Sequence, residues 1–278
     1  MSRLILRFDI DTIACLKKGV PPLLALARQE DLPMTFFANL GKAVNWSGVV
    51  RSRLERGAAG AIKAESLAAS SKLGWPSLLR TVIMDPLVSK VGRNELKDIE
   101  AQGHDLGLHG GKNHSAWHHG AREWSEARLR TELDWGIKRM EALGLKRPKI
   151  FASPGFTNPD ILSEILRELG FKAVADRHGW ALPALGDQVE ASVAPIEITT
   201  GMLGEPGAIG FVEYLVAKGL DPKDLPDILE EFINANQTYV LYDHPCFSGG
   251  QGYFMLKAII KTWQSLGGQF VKISDLIN

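Results

Sequence analysis

Cysteine is almost missing from this chain: Cys15 and Cys246 are the only two in 278 residues. Two cysteines cannot build the disulfide framework of a small secreted domain, and a reducing compartment is the simpler setting. No apolar run reaches the ~18 residues that a membrane-spanning helix needs. Excess charge is also missing. The 32 basic and 32 acidic residues cancel, which leaves no global basic field for nucleic acid. The opening Met1-Ser2-Arg3-Leu4 runs straight into strand-like sequence without a small-residue cleavage site. No secretory signal is therefore expected, and the expected location is cytoplasmic. Internal repeats and low-complexity tracts are absent. What is present is an ordinary globular composition, 45% hydrophobic and 23% charged. A chain of this length can bury roughly 70–75% of its unfolded surface, so one large domain spanning residues 1–278 needs no staples.

Apolar, β-rich runs recur at 4–8, 34–38, 105–108, 149–152, 173–175, 196–199, 239–242 and 269–273. Helical patterns lie between them at 22–30, 126–143, 225–233 and 253–266. The second of these is the clearest: Leu129, Leu133, Ile137 and Met140 share one face and Gly144 stands at its end. Asn158-Pro159 is read as the cap and first position of a further helix ending at Leu169. Strands alternating with helices predict an α/β protein with a mostly parallel sheet, closed or nearly closed into a barrel. A doubly wound open sheet is the alternative. Either fold gathers its chemistry at the carboxyl ends of strands. Asp9, Asp11, His109, Ser153, Asp176 and His244 all stand at or just after predicted strand ends.

Asp9-Ile10-Asp11 closes the first predicted strand. A strand alternates faces with period two, so both carboxylates point the same way, roughly 7 Å apart. One can hold a metal while the other handles a proton. Five of the seven histidines fall between His104 and His119. His109 ends a strand, and Gly110-Gly111 lets the chain turn so that His114 can return beside it. Two imidazoles and one carboxylate leave open positions on a divalent metal, the pattern of a catalytic site. His118 and His119 run into a polar segment and read equally well as a solvated loop. His104 precedes its strand, at the wrong end. His244 follows a late strand, where an imidazole can serve as general acid. Ser153, Asp176, Arg177 and Trp180, with Trp117, are the candidates for contacts to substrate. Between the second and third strands, 47–92 is longer than one helix requires and mixes Arg51, Arg53, Arg56, Lys63, Lys72 and Arg80 with apolar residues. It is read either as surface helices on the barrel or as a basic amphipathic element resting on a membrane or over a lipid-linked substrate.

At these residues the chain resembles the polysaccharide deacetylase (NodB-homology) family. The motifs follow in order: Phe8-Asp9-Ile10-Asp11, Thr35-Phe36-Phe37, His109 through His114, Ser153-Pro154-Gly155, Asp176 and His244-Pro245. Within the family it most resembles the formamido-arabinose-phosphoundecaprenol deformylases, through Gly19-Val20-Pro21, Ala68-Ala69-Ser70, Gly74-Trp75, Gly107-Leu108-His109 and Ser115-Ala116-Trp117. The resemblance implies a distorted (β/α) barrel with seven strands, of the glycoside hydrolase-deacetylase type. It implies that Asp11, His109 and His114 bind a divalent metal, zinc first, with manganese, cobalt or nickel as alternatives. It implies Asp9 as general base and His244 as general acid in removing a formyl or acetyl group from an amino sugar, with undecaprenyl-phosphate-linked formamido-arabinose as the expected substrate. A peripheral site on the cytoplasmic face of the inner membrane, reached through 47–92, would follow. Two departures stand out. The family spaces its two histidines four apart, where this chain has Asn113, and His114 is one residue further on. The arginine many deacetylases carry in the third motif is replaced by Ser153, so orientation of Asp9 must come from elsewhere, with Arg177 as the candidate.

Two other readings compete. A haloacid-dehalogenase-like phosphatase could own Asp9-Ile10-Asp11, but Ile13 stands where Thr or Val is wanted and the histidines go unexplained. A non-catalytic glycan- or lipid-binding barrel is the reading that Asn113 motivates.

Overall fold

The computed structural model describes residues 1–43, 86–178, 195–205, 209–234 and 237–277. Most of the 47–92 segment and Trp180 lie outside these described residues. The strands are β1 (Arg3–Ile10), β2 (Thr35–Ala38), β3 (Asp105–His109), β4 (Ile150–Ala152), β5 (Ala173–His178), β6 (Ile196–Thr200), the short pair β7 (Leu203–Glu205) and β8 (Ile209–Gly210), then β9 (Thr238–Asp243) and β10 (Gln269–Phe270). The helices are α1 (Val20–Glu30), α2 (Val88–Val91), α3 (Arg93–Ala101), α4 (His114–Gly120), α5 (Glu126–Leu143), α6 (Leu162–Glu168), α7 (Phe211–Ala217), α8 (Leu225–Asn234), α9 (Pro245–Ser248) and α10 (Tyr253–Ser265).

β1 to β6 pair in sequence order, all parallel, and β9 pairs with the other side of β1. Just past β6, Met202 bridges Leu241 of β9, donating to Val240 and accepting from Tyr242. That bridge brings the seventh strand round to the sixth, so seven parallel strands make a nearly closed barrel, with β10 as a short extra strand on β1. The open-sheet alternative is set aside by this closure.

The period of two divides the residues between two apolar layers. Leu4, Leu6, Phe8 and Ile10 of β1 pack outward among the helices, with Leu108, Phe151 and Leu241. Ile5, Phe37, Ile150, Ala152, Ala173, Ile198 and Val240 fill the barrel's inside. β1 therefore sends Ile5, Arg7 and Asp9 inward, and Asp11 follows them at the rim. The small residues inside leave room above for these polar groups. Gly107 of β3 belongs to the same layer, since a Cβ there would meet Phe37 and Ile150. A register shift between Val174 and Arg177 interrupts the alternation of β5.

The helix expected from Asn158 starts later, at Leu162. The Asn158 carboxamide is drawn away instead, lying 2.6 Å from the Ser153 hydroxyl. The His114–His119 stretch is helical rather than an open loop, with Asn113 at its cap accepting from Ala116 N–H at 2.8 Å. Gly110 makes the turn into it at φ 75°. A Cβ at that position would lie 2.7 Å from Pro154 Cγ. Gly110→Ala should therefore lower unfolding free energy by at least about 1–2 kcal/mol, the cost of a left-handed non-glycine residue. Urea denaturation measures it, and an unchanged midpoint would contradict this account of the turn.

Candidate active site

The carboxyl ends of β1, β3, β4, β5 and β9 share one end of the barrel. At its centre, Asp9 is held by Arg7 two residues earlier on the same inward face. Arg7 Nε donates to Oδ1 at 2.9 Å and Nη2 donates to Oδ2 at 2.8 Å. Arg7 is fully buried and Asp9 is 2% exposed. The other guanidinium nitrogen donates to the Ala175 carbonyl at 2.5 Å and to Thr200 Oγ1 at 2.9 Å. The rings of Phe37, Phe156 and Tyr242 surround the guanidinium at 4.9–5.2 Å. Phe156 reaches it from a left-handed backbone, φ 53°. Burial opposes the charge of Arg7, but Asp9 outweighs it and raises the arginine's pKa. Among the described residues, the arginine that orients Asp9 is thus Arg7, where Arg177 was the expected candidate. The Arg177 side chain lies outside the described structure. Counting back by two from Asp9 along an inward-facing strand was the signal that could have found Arg7.

Asp11 stands at the meeting point of three imidazoles. Its Oδ1 is 3.1 Å from His114 Nε2 and 3.3 Å from His109 Nε2, and its Oδ2 is 3.2 Å from His244 Nε2. The two Nε2 atoms of His109 and His114 are 3.3 Å apart. His109 Nδ1 lies 2.8 Å from the Ala152 carbonyl; that oxygen only accepts, so Nδ1 carries the hydrogen and Nε2 of the neutral ring keeps its lone pair. Asp11 Oδ1 is buried and, among the described residues, has no assigned hydrogen bond. Asp11, His109 and His114 thus bring their donor atoms within 4.8 Å of one another. Such a set is satisfied by shared protons or by one cation. The two imidazoles and one carboxylate fit a transition metal of borderline softness, and a carbonyl of Ala152 fixing the His109 tautomer is the usual supporting contact. His114, not Asn113, faces the cluster, because the Asn113 side chain is spent on its helix cap.

The electrostatics follow from this crowding. Burial pushes Asp11 up, but His114 and His244 outweigh it and hold the carboxyl well below the usual range. Burial disfavours the charged form of His244, yet Asp11 raises its pKa to about 9. Tyr242 Oη lies 3.0 Å from His244 Nε2, and burial beside Asp9 and Asp11 keeps that phenol neutral. The backbone of His244 is fixed by Asp243, whose Oδ1 accepts His244 N–H at 2.6 Å and whose Oδ2 accepts Glu213 N–H at 3.1 Å. Asp243, pushed up to about 6 by burial, and Arg7 are the residues that the sequence reading missed.

Ser153 and Asp176 brace each other instead of reaching the cluster. Asp176 accepts the Ser153 N–H at 2.5 Å, and its other oxygen is 2.9 Å from the Ser153 hydroxyl. Burial raises Asp176 to about 6. Trp117 is a correction: it is fully buried, packs on Trp124 and Phe151, donates to the Thr157 carbonyl at 3.2 Å, and cannot meet a substrate. His104 sits at the opposite end of the barrel, accepting from Met34 N–H at 3.2 Å.

A model of the polysaccharide deacetylase family matches residues 2–174. The chain belongs to the polysaccharide deacetylase family. It is 29% identical over 189 residues to a probable 4-deoxy-4-formamido-L-arabinose-phosphoundecaprenol deformylase of Shewanella sediminis, a match covering 65% of this chain and 59% of that relative. The chain therefore spans under two thirds of that relative's length. Among solved structures, a probable polysaccharide deacetylase from Pseudomonas aeruginosa PAO1 superposes with TM-score 0.62 at 15% identity, over 99% of this chain and 89% of that one. The PuuE allantoinase does so with TM-score 0.62 at 16% identity, over the same shares. These two likenesses show the barrel fold. The phosphatase reading falls with the family assignment. Among the described residues no helix is long and apolar enough to cross a membrane.

The raised pKa of His244 has a direct check. In metal-free protein, its attraction to Asp11 contributes stability that is whole below about 6.5 and is lost as pH rises through about 9. In Asp11→Asn the largest attraction is gone and burial is opposed only by the weaker pulls of Cys15 and Asp243, so the His244 titration followed by NMR should fall well below 9. A midpoint still near 9 would contradict the assignment of its cause.

Proposed function

We propose that this protein is a metal-dependent hydrolase that removes an N-acyl group, formyl or acetyl, from an amino sugar. Family membership supports hydrolysis of an amide bond. The observation that carries the reading is the convergence of Asp11, His109 and His114 on one point, with buried Asp9 and protonated His244 beside it. Asp11, His109 and His114 would hold the ion, zinc first. When bound there, a divalent ion lowers the pKa of water and polarises the acyl carbonyl.

The chain's own residues do the rest. Arg7 grips both oxygens of Asp9 in one plane, which leaves their outer lone pairs to take a proton from the attacking water. Asp9 Oδ2 lies 3.7 Å from His109 Nε2, so the base stands next to the ligand set without joining it. His244 holds its proton at Nε2, 3.2 Å from Asp11. It delivers that proton to the departing nitrogen, since an amide leaves poorly as an anion. Tyr242 and Asp243 keep the imidazole in place.

The substrate we favour is undecaprenyl-phosphate-linked formamido-arabinose, supported by the sequence likeness to the Shewanella deformylase. Such a lipid-borne substrate would be met at the cytoplasmic face of the inner membrane, with the basic residues of 47–92 as the contact. Purified metal-loaded protein should release formate from that substrate; release of acetate from an N-acetylated amino sugar instead would redirect the specificity, and release of neither would overturn the reading.

Variants divide the roles. Asp9→Asn and His244→Ala should keep the metal yet lose ~10²–10⁴-fold in turnover, the size of general acid–base help. His114→Ala should lose the metal and Asn113→Ala should keep it, as measured by bound-metal analysis. Arg7→Lys keeps the charge but not the two-pronged grip. Its turnover should fall ~10²-fold at constant metal content, the cost of a displaced catalytic group.

A further inference from the structure

The inner face of β9 repeats the inner face of β1. Across that parallel pair Ile5 stands opposite Val240 and Arg7 opposite Tyr242, and Ile5 and Val240 both belong to the apolar layer inside the barrel. The period of two sends Val240, Tyr242 and His244 the same way, so Tyr242 takes on β9 the level that Arg7 takes on β1. Its ring is held on three sides. The Arg7 guanidinium lies 5.2 Å from its centroid, Phe156 meets it edge-on at 5.3 Å, and the His244 ring meets it edge-on at 5.2 Å. The phenol oxygen is thereby placed 3.0 Å from His244 Nε2, which is itself 3.2 Å from Asp11 Oδ2. The side chains of His244 and Asp11 are 14% and 22% exposed, so the cleft opens to solvent where the phenol ends. Among the described residues the contact with His244 is the one hydrogen bond assigned to Tyr242 Oη. As the acid, His244 carries its hydrogen on Nε2. A ring nitrogen that carries a hydrogen cannot accept another, so the hydrogen of the phenol itself is left for the cleft. Other donors nearby are spent: Arg7 on Asp9, Ala175 and Thr200, and the Ser153 hydroxyl on Asp176 and Asn158.

We propose that Tyr242 is a further catalytic residue, whose phenolic O–H donates a hydrogen bond to the acyl oxygen as negative charge gathers there. This role rests on the hydrolase reading and adds a residue to it. Water, giving its proton to Asp9, forms a bond to the acyl carbon, and the carbonyl electron pair moves onto the acyl oxygen. That oxygen is negative between two carboxylates, Asp9 and Asp11, and needs a donor that brings no further negative charge. Burial beside those same carboxylates keeps the phenol neutral, so its hydrogen is present to be donated. The electron pair then returns to the carbon, the carbon–nitrogen bond breaks, and the nitrogen takes the His244 proton. Tyr242 keeps its own proton throughout and undergoes no net change. A donor already fixed by Arg7, Phe156 and His244 has no reorganisation to undergo when the charge appears, which is where such a hydrogen bond gains its strength.

The test compares Tyr242→Phe, which removes one oxygen and keeps the ring, with wild type, both full-length and metal-loaded. Bound metal should be the same in the two. On the N-acyl amino sugar, kcat should fall ~10²–10³-fold with KM nearly unchanged, the loss typical of one missing oxyanion donor. The same loss should appear on an activated aryl ester of the same acyl group. Such an ester needs no proton on its leaving group, yet its acyl oxygen still becomes negative. A loss confined to the amide would make Tyr242 a positioning residue for His244 and overturn the proposal. Binding gives a readout without turnover. A phosphonamidate of the amino sugar, whose tetrahedral oxygens stand for the charged acyl oxygen, should bind Tyr242→Phe at least tenfold more weakly than wild type. Equal affinity, or equal turnover, would also overturn the proposal. Wild type that releases no acyl group from amide or ester would mark failure of the hydrolase reading, and this role would fall with it; active wild type matched by Tyr242→Phe would mark failure of this role alone.

Discussion

A guanidinium inside a barrel constrains everything placed around it. Arg7 is fully buried, and a buried charge without a partner is costly; removing one member of such a pair typically costs ~3–5 kcal/mol. Asp9 neutralises it through two parallel hydrogen bonds. The carbonyl of Ala175 and the hydroxyl of Thr200 take up the remaining nitrogen. The last two of these contacts tie β1 to β5 and β6 across the interior. They also oblige the sheet to close far enough for strands on opposite sides to share one side chain. The rings of Phe37, Phe156 and Tyr242 then exclude water from the pair. With Asp9 so fixed, Asp11 two residues on is delivered to the rim, where His109, His114 and His244 meet it.

Much of this is legible in the amino-acid sequence. Parallel strand and helix alternation announced the barrel, because each strand is apolar on both faces and each helix on one. The rim residues were legible for a simpler reason: Asp9, Asp11, His109 and His244 are polar groups placed where an apolar run stops. Three kinds of feature were not legible. Arg7 sits inside an apolar run and reads there as a charge at a strand's exposed edge; only the closed barrel turns that face inward. Asp243 reads as part of a strand end, and its role depends on α7, which the periodicity did not reveal. Trp117 sits beside the histidines in sequence, but α4 rotates it away from them into the core. Proximity along a chain says little about side once a helix intervenes.

The spacing between the two histidines shows the same principle from the other direction. His114 stands five positions after His109, one more than the interval that the family resemblance implies. The left-handed turn at Gly110 takes up the extra length, and Asn113 becomes the cap of α4. The ring of His114 therefore arrives beside His109 and Asp11.

The central claim is that one carboxylate and two imidazoles, from Asp11, His109 and His114, bind a single metal ion. X-ray absorption spectroscopy on zinc-loaded protein measures this most directly, through the outer-shell scattering that each coordinated imidazole contributes. The account predicts two imidazoles with the remaining ligands oxygen. A spectrum that required only one imidazole, or sulfur in the first shell, would contradict it.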